Sequence, residues 1–500
     1  NSLRKNWAYR VDQMTTTHPI ATAMEDLDAV RSNFDGISYA KGASVLQQLV
    51  AHVGRDNFIK GLRLYFAKHA YSNTTLKDLI DQLEAASGRD LTPWVATWLR
   101  TSGVNTLRPV VSMAGDTYQS IAIKQEVPAI PVGSKELRPH RLHVGLFDIQ
   151  GDKLTRRTSC ELDVAGELTE VSALAGEKVA DLLLINDKDQ TYAKLRFDER
   201  SIATMKTHLG KLDDSLARGL IWASLWDSCR DGELATSDYI TIALNALKTE
   251  NDISIVTATY LQFETAIWAY ANPAKRDAIR AQVADATAAM LASAAPGSDH
   301  QMQFARAFAN NAITPAHFEK LKAILNGSES GLVIDAEIRW YLFICGVKRG
   351  IFGPADIEAE SAKDNTAHGK QYTAYSYAAI PTKEAKAKAF TSITQDNLSN
   401  TIHAYMCRGF NENIHHELLA GFVDQYFDAI LKVWETKGFE IAETTATLVF
   451  PSWVISDETV KKAQHWLDVT GKDASHALRR SVTEGRDAMQ RALKARAADK

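Results

Sequence analysis

The chain has 500 residues, more than one ordinary core accommodates, so two to four domains are expected. Its composition, 45% hydrophobic and 24% charged, is that of a soluble globular protein and excludes a disordered or fibrous class. A formal net charge of -4 gives no footprint for nucleic acid, which is not expected as a partner.

Three regions differ in periodicity. Residues 1–105 read as helices with clear stops. Val45, Leu46, Leu49, Val50 and Val53 fall at helical spacing, and Gly54 suits the end. Asp56 is expected to cap the next helix, with Phe58, Ile59, Leu62 and Phe66 facing inward. Thr74 or Thr75 caps a third, with Leu76, Leu79, Ile80 and Leu83 inward and Gly88 at its end. A fourth places Trp94, Val95, Trp98 and Leu99 on one side before Gly103. Short connections of this kind imply a compact helical bundle.

Residues 106–198 change period. Leu142, Val144 and Leu146 alternate with Arg141, His143 and Gly145, as in a half-buried strand, and Ile121 and Ile123 do likewise. Residues 179–185 and 192–197 supply further strands, and residues 127–139, rich in Pro, read as a loop. Several short strands suggest a small β-sandwich. Residues 199–500 are helical in pattern almost throughout. About a dozen helices with short loops suggest an α-solenoid of stacked hairpins.

No apolar run reaches the roughly 18 residues that a membrane helix needs, so no membrane partner is expected. The four cysteines, Cys160, Cys229, Cys345 and Cys407, are dispersed, with no C-x-x-C. That argues against a Cys-based zinc site or a disulfide framework and suits a reducing, cytoplasmic compartment. A monomer is the default expectation. His403, Cys407, His415 and His416 lie close in sequence. Only His403 and Cys407 would share a helix face, and Gly409 is expected to end that helix, so no metal is expected here.

The segment Asn33-Phe34-Asp35-Gly36-Ile37-Ser38-Tyr39-Ala40-Lys41-Gly42 carries most of the functional information. Together with Trp7-Ala8-Tyr9-Arg10, Thr17-His18-Pro19-Ile20 and Gly88-Arg89-Asp90-Leu91, it resembles the zinc aminopeptidase N family of gluzincin metallopeptidases, actinobacterial-type. The likeness is specific over residues 1–110. It returns at Met406-Cys407-Arg408-Gly409-Phe410 and around Leu478-Arg479-Arg480. Ala40 stands where many relatives carry Glu.

The resemblance implies the following. The chain is the later part of an enzyme that hydrolyses the N-terminal peptide bond and releases single amino acids. Residues 1–105 end a thermolysin-like catalytic domain, 106–198 are the β-sandwich and 199–500 the solenoid. Tyr39 is the catalytic tyrosine. A phenol, with an ordinary pKa of about 10, can donate a hydrogen bond to the carbonyl oxygen as charge develops there. Asp35, Lys41 and Gly42 are candidate supports of its loop. Asp35 would fix the backbone, Lys41 would orient the loop or face solvent, and Gly42 would allow close helix packing. Arg408 is a candidate contact for a peptide C-terminus in the chamber of the C-terminal domain, or a surface or capping arginine.

The family's zinc motif, H-E-x-x-H, is absent from these 500 residues. Zn2+ and its ligands, with the strand that holds the substrate amine, are expected before Asn1. No metal or other cofactor is expected on this chain alone. It should then be inactive by itself, partnered by the preceding part of the same protein and by peptide substrates, and expose apolar surface where that part would pack. The alternative is a truncated relative that binds peptides or acts as a scaffold without chemistry.

Overall fold

The computed structural model describes residues 2–23, 27, 30 and 33–500. The chain divides into two units, Asn1–Ser228 and Cys229–Lys500. It is mainly helical, with two small sheets in the first unit.

The first unit opens on α1 (Ser2–Val11), followed after a connecting segment by one turn of π-helix (Ile37–Lys41) that runs directly into α2 (Gly42–Val53). Then come α3 (Arg55–His69), α4 (Leu76–Ser87) and α5 (Thr92–Leu99). The glycine stops expected at 54, 88 and 103 all adopt positive φ, at 82°, 69° and 85°. The amide of Gly88 closes α4 on the Glu84 carbonyl. Thr75 is the N-cap of α4, and its amide and hydroxyl both donate to Asp78 Oδ2, at 2.8 and 2.7 Å. Asp56 does not cap α3. That helix starts one residue earlier, after Gly54, and Asp56 lies in its first turn.

Ala8, Tyr9, Val45, Leu49, Leu83, Trp94 and Trp98 share one core. The inward face expected for α3 is largely wrong. Ile59 is 38% exposed and Phe66 65%, and the only fully buried residue of the helix is Gly61. A Cβ on Gly61 would lie 2.7 Å from Leu83 Cδ2. The helix therefore docks on α4 through its glycine; Phe58 packs partly buried against the core, while Ile59 and Phe66 stay exposed.

The strands are β1 (Thr106–Ala114), β2 (Thr117–Glu126), β3 (His140–Gln150), β4 (Lys153–Val164), β5 (Leu168–Glu170), β6 (Leu182–Ile185) and β7 (Lys194–Leu195). One sheet has the order β5-β2-β1-β7 and the other β4-β3-β6. Leu142, Val144 and Leu146 are fully buried on β3, as their alternation requires. Residues 127–139 form no strand or helix.

In the second unit, helices start where side chains accept backbone N–H groups. Ser298, Thr314, Asp335, Thr366, Thr382, Ser399, Ser456 and Ser475 do so. Its core gathers Phe390, Ile393, Phe410, Phe422, Tyr426, Phe450, Trp453 and Trp466. Among the described residues no helix is long and apolar enough to cross a membrane.

Candidate active site

Asp35 organises the chain just ahead of Tyr39. Its Oδ1 accepts the amides of Ile37 at 2.8 Å and Ser38 at 3.3 Å, and its carbonyl accepts the amide of Tyr39 at 3.2 Å. Its Oδ2 meets His18 Nε2 at 3.0 Å. Burial alone would raise the Asp35 carboxyl, but the contacts with His18 and the two amides outweigh it and hold the pKa below the ordinary value. Ser38 Oγ donates to the Asn33 carbonyl at 2.6 Å and closes the turn.

The π-turn places Tyr39 at the surface, 49% exposed. Its ring meets Phe34 edge-on at 4.8 Å and lies parallel to Trp7 at 6.4 Å. Trp7 and Phe34 are themselves 40% and 67% exposed. Among the described residues none shares a hydrogen bond with the Tyr39 hydroxyl, so the phenol is available to a ligand. Single π-helical turns recur at functional sites because they re-aim one side chain within a continuous helix.

Lys41 points the other way. It is fully buried, with Nζ 2.8 Å from Asp12 Oδ2 and 3.2 Å from the Gly103 carbonyl. Burial pulls its pKa down while Asp12 pulls it up, and the net shift is downward. Asp12 also accepts Thr17 Oγ1, the Gly103 amide and the Tyr192 hydroxyl. Of the alternatives posed for Lys41, the solvent-facing one is thereby removed.

The steric demand expected at Gly42 falls elsewhere. A Cβ on Gly42 would meet nothing nearer than the Ile37 carbonyl oxygen at 3.8 Å, an ordinary contact. At Gly36 it would lie 2.9 Å from the Ala8 amide nitrogen. It is Gly36 that lets α1 pass close to the turn, and with it brings Trp7 beside Tyr39. Asp12, His18 and Gly36 escaped the sequence reading as site residues. His18 and Gly36 belonged to quoted motifs, but nothing local showed the ion pair of one or the close packing of the other, and nothing tied Asp12 to Tyr39.

In the second unit, Arg408 is exposed on the helix Asn400–Phe410, its guanidinium 5.3 Å from the Tyr405 ring. It lines a cavity of about 500 Å³ together with Tyr260, Glu264, Arg306, Lys348 and Glu412. Lys348 Nζ pairs with Glu412 at 3.2 Å within this lining. Gly409 does not end the helix. It sits inside the last turn, where a Cβ would collide with the Tyr375 carbonyl, and Asn411 follows as the cap.

His403 and Cys407 do share a face, with Sγ 3.7 Å from Nε2, but Thr445 Oγ1 takes the same imidazole at 3.1 Å. Burial pushes the Cys407 thiol up, which keeps it protonated. His415 Nε2 is engaged by the Lys348 carbonyl at 2.7 Å. Among the described residues, no group of three or more His, Cys, Asp or Glu is arranged to hold a metal ion.

Comparison with known proteins places this geometry. Residues 3–98 match the Peptidase family M1 domain, and residues 182–491 match the ERAP1-like C-terminal domain. The chain is 45% identical to aminopeptidase N of Streptomyces lividans over 99% of its own length and 58% of that protein's. It is 37% identical to the leucyl aminopeptidase of Saccharolobus solfataricus over 24% of the chain and 14% of that protein. It is also 25% identical to the tricorn protease-interacting factor F2 of Thermoplasma volcanium over 50% of the chain and 29% of that protein. The chain thus spans little more than half the length of the first of these relatives, and less of the others. It belongs to the aminopeptidase N family of M1 peptidases, with the peptidase-domain match over residues 3–98 and the ERAP1-like C-terminal match over residues 182–491.

Proposed function

We propose that this chain is the later part of a zinc-dependent aminopeptidase that releases single amino acids from peptide N-termini, and that Tyr39 is its oxyanion donor. The observation that carries the reading is the half-exposed phenol of Tyr39, free of any described partner and held on a turn braced by Asp35 on one side and by Lys41 with Asp12 on the other. The metal and its activated water would be supplied by residues outside those described. What this chain's own residues do is narrower. The hydroxyl donates a hydrogen bond to the substrate carbonyl oxygen as charge gathers there, and the turn fixes where that donor stands. Trp7 and Phe34 pack on the ring and limit its movement.

In the same reading, residues 1–105 complete the catalytic domain, 106–198 form a β-sandwich spacer, and 199–500 form an α-solenoid that limits peptide access. Arg408, exposed at the lining of this cavity beside Arg306, Lys348 and Glu412, would meet a peptide carboxylate. The exposed Trp7, Phe34 and Leu46 suit burial by the zinc-binding part of the same protein.

The test is Tyr39→Phe in a protein that joins this chain to its metal-binding part. Removing one oxyanion donor lowers turnover about a hundredfold to a thousandfold. Zinc content and the far-ultraviolet spectrum should not change. Unaltered turnover would remove Tyr39 from the chemistry and leave a peptide-binding relative as the better reading.

A further inference from the structure

His18 stands between two oxygen acceptors. Its Nδ1 lies 2.8 Å from the Pro19 carbonyl oxygen and its Nε2 lies 3.0 Å from Asp35 Oδ2. A carbonyl oxygen can only accept. Asp35 is also an acceptor here, because its contacts, the amides of Ile37 and Ser38 among them, hold its carboxyl below the ordinary value and keep it ionised. Both ring nitrogens must then donate, and an imidazole carrying two N–H groups is a cation. The ring is largely shielded, with 11% of its side chain accessible against 13% for Asp35. A neutral ring would turn a lone pair toward one of the two oxygens, with little water to relieve it.

We infer that His18 is a positioning residue that acts as an imidazolium, clamping Asp35 so that the π-turn holds the Tyr39 phenol in place. The inference rests on the reading of Tyr39 as oxyanion donor. The chain of contact is short: His18 to Asp35, Asp35 to the amides of Ile37 and Ser38, and the Asp35 carbonyl to the Tyr39 amide. The charged groups around this stretch are consistent with it. Asp35 faces the ring directly. Thr17, one residue earlier, donates to Asp12, whose charge is matched by Lys41, and the positive charge of Arg138 opposes that of Lys41.

His140 shows the opposite arrangement in the same unit. Its Nε2 meets the Gln125 side-chain oxygen at 2.9 Å, but its Nδ1 meets the Thr191 hydroxyl at 2.7 Å, and a hydroxyl can donate. One N–H and one lone pair satisfy that site, so His140 is neutral. The two histidines differ in the partners that their neighbours offer.

The experiment is nitrogen-15 spectroscopy of histidine-labelled 500-residue chain at pH 7.5, with His18→Gln to assign the signal, followed by amide exchange of residues 33–42 in both proteins. The clamp requires two protonated ring nitrogens on His18 at that pH. It also requires exchange in the turn to quicken about tenfold in His18→Gln, the order expected for losing a charge-assisted hydrogen bond. A neutral His18 ring in the native chain overturns the inference; should His18→Gln not fold, His18→Asn assigns the signal in its place. Unchanged exchange in a folded His18→Gln protein overturns it as well. Neither reading needs activity, so an active Tyr39→Phe enzyme would refute the role of Tyr39 without touching the protonation of His18.

Discussion

Lys41 Nζ lies 2.8 Å from Asp12 Oδ2, with neither side chain reaching solvent. The pair ties the residues just after α1 to the turn that carries Tyr39. Removing one member of a buried pair leaves the other charge without compensation, at a cost of about 3–5 kcal/mol. Lys41→Met should fall near the lower end of that range, because Asp12 keeps the Thr17, Gly103 and Tyr192 donors. Urea unfolding checks this. The double variant Asp12→Asn with Lys41→Met should lose less than the sum of the two single losses, since the two residues share one interaction.

Gly36 and Gly42 invite a paired substitution. Gly36→Ala forces a methyl against the α1 backbone and should destabilise by about 1–3 kcal/mol, as overpacking does. It should also shift Trp7 relative to Tyr39, which tryptophan fluorescence can follow. Gly42→Ala has room and opens a helix, so it should be neutral or stabilise by up to about 1 kcal/mol. Equal destabilisation by the two would contradict the placement of the close approach at Gly36.

Burial pushes the imidazole of His140 down to about 3. The unfolded chain takes up a proton near pH 6.5 that the folded chain refuses until about 3, so between those limits the unfolded state binds more protons. Stability from this group is complete above about pH 6.5 and is lost as pH falls toward 3, by about 1.4 kcal/mol per pH unit at most. His140→Gln should flatten the acid limb of the stability profile by that one proton. Trp98, edge-on to His140 at 5.2 Å, gives an emission signal close to the site.

Arg408 is exposed, so Arg408→Ala should leave the unfolding midpoint unchanged. If it meets a peptide carboxylate, KM for peptides with a free C-terminus should rise about tenfold, while single-residue amide reporters are processed as before. Equal effects on both substrate kinds would place Arg408 outside peptide recognition.

The turnover of Tyr39→Phe remains the direct measure of the phenol's role, with a loss of about a hundredfold or more expected in the zinc-loaded protein. The same substitution keeps the ring between Trp7 and Phe34, so thermal stability should move little.

Much of the local structure was legible in the sequence. The glycine stops at 54, 88 and 103, the Thr75 cap, the alternation on β3 and the apolar row of α5 follow from rules that act within a few residues, whereas Leu46 of α2 and Leu76 of α4, expected on the apolar faces, are exposed. The block around Tyr39 was visible as a resemblance, and the M1 and ERAP1-like matches agree with it. Other features depended on which surfaces met. The exposed side of α3 was decided by where Gly61 met Leu83, and the tight glycine by where α1 crossed the turn. Asp12 acquired its role from Lys41 and from Tyr192, a residue 180 positions away. The contact between His18 and Asp35 joins residues 17 positions apart, and only folding brings them together. Periodicity and capping are short-range and survive in the bare sequence. Burial, ion pairing and proton occupancy are set by neighbours distant along the chain, and only the tertiary structure supplies them.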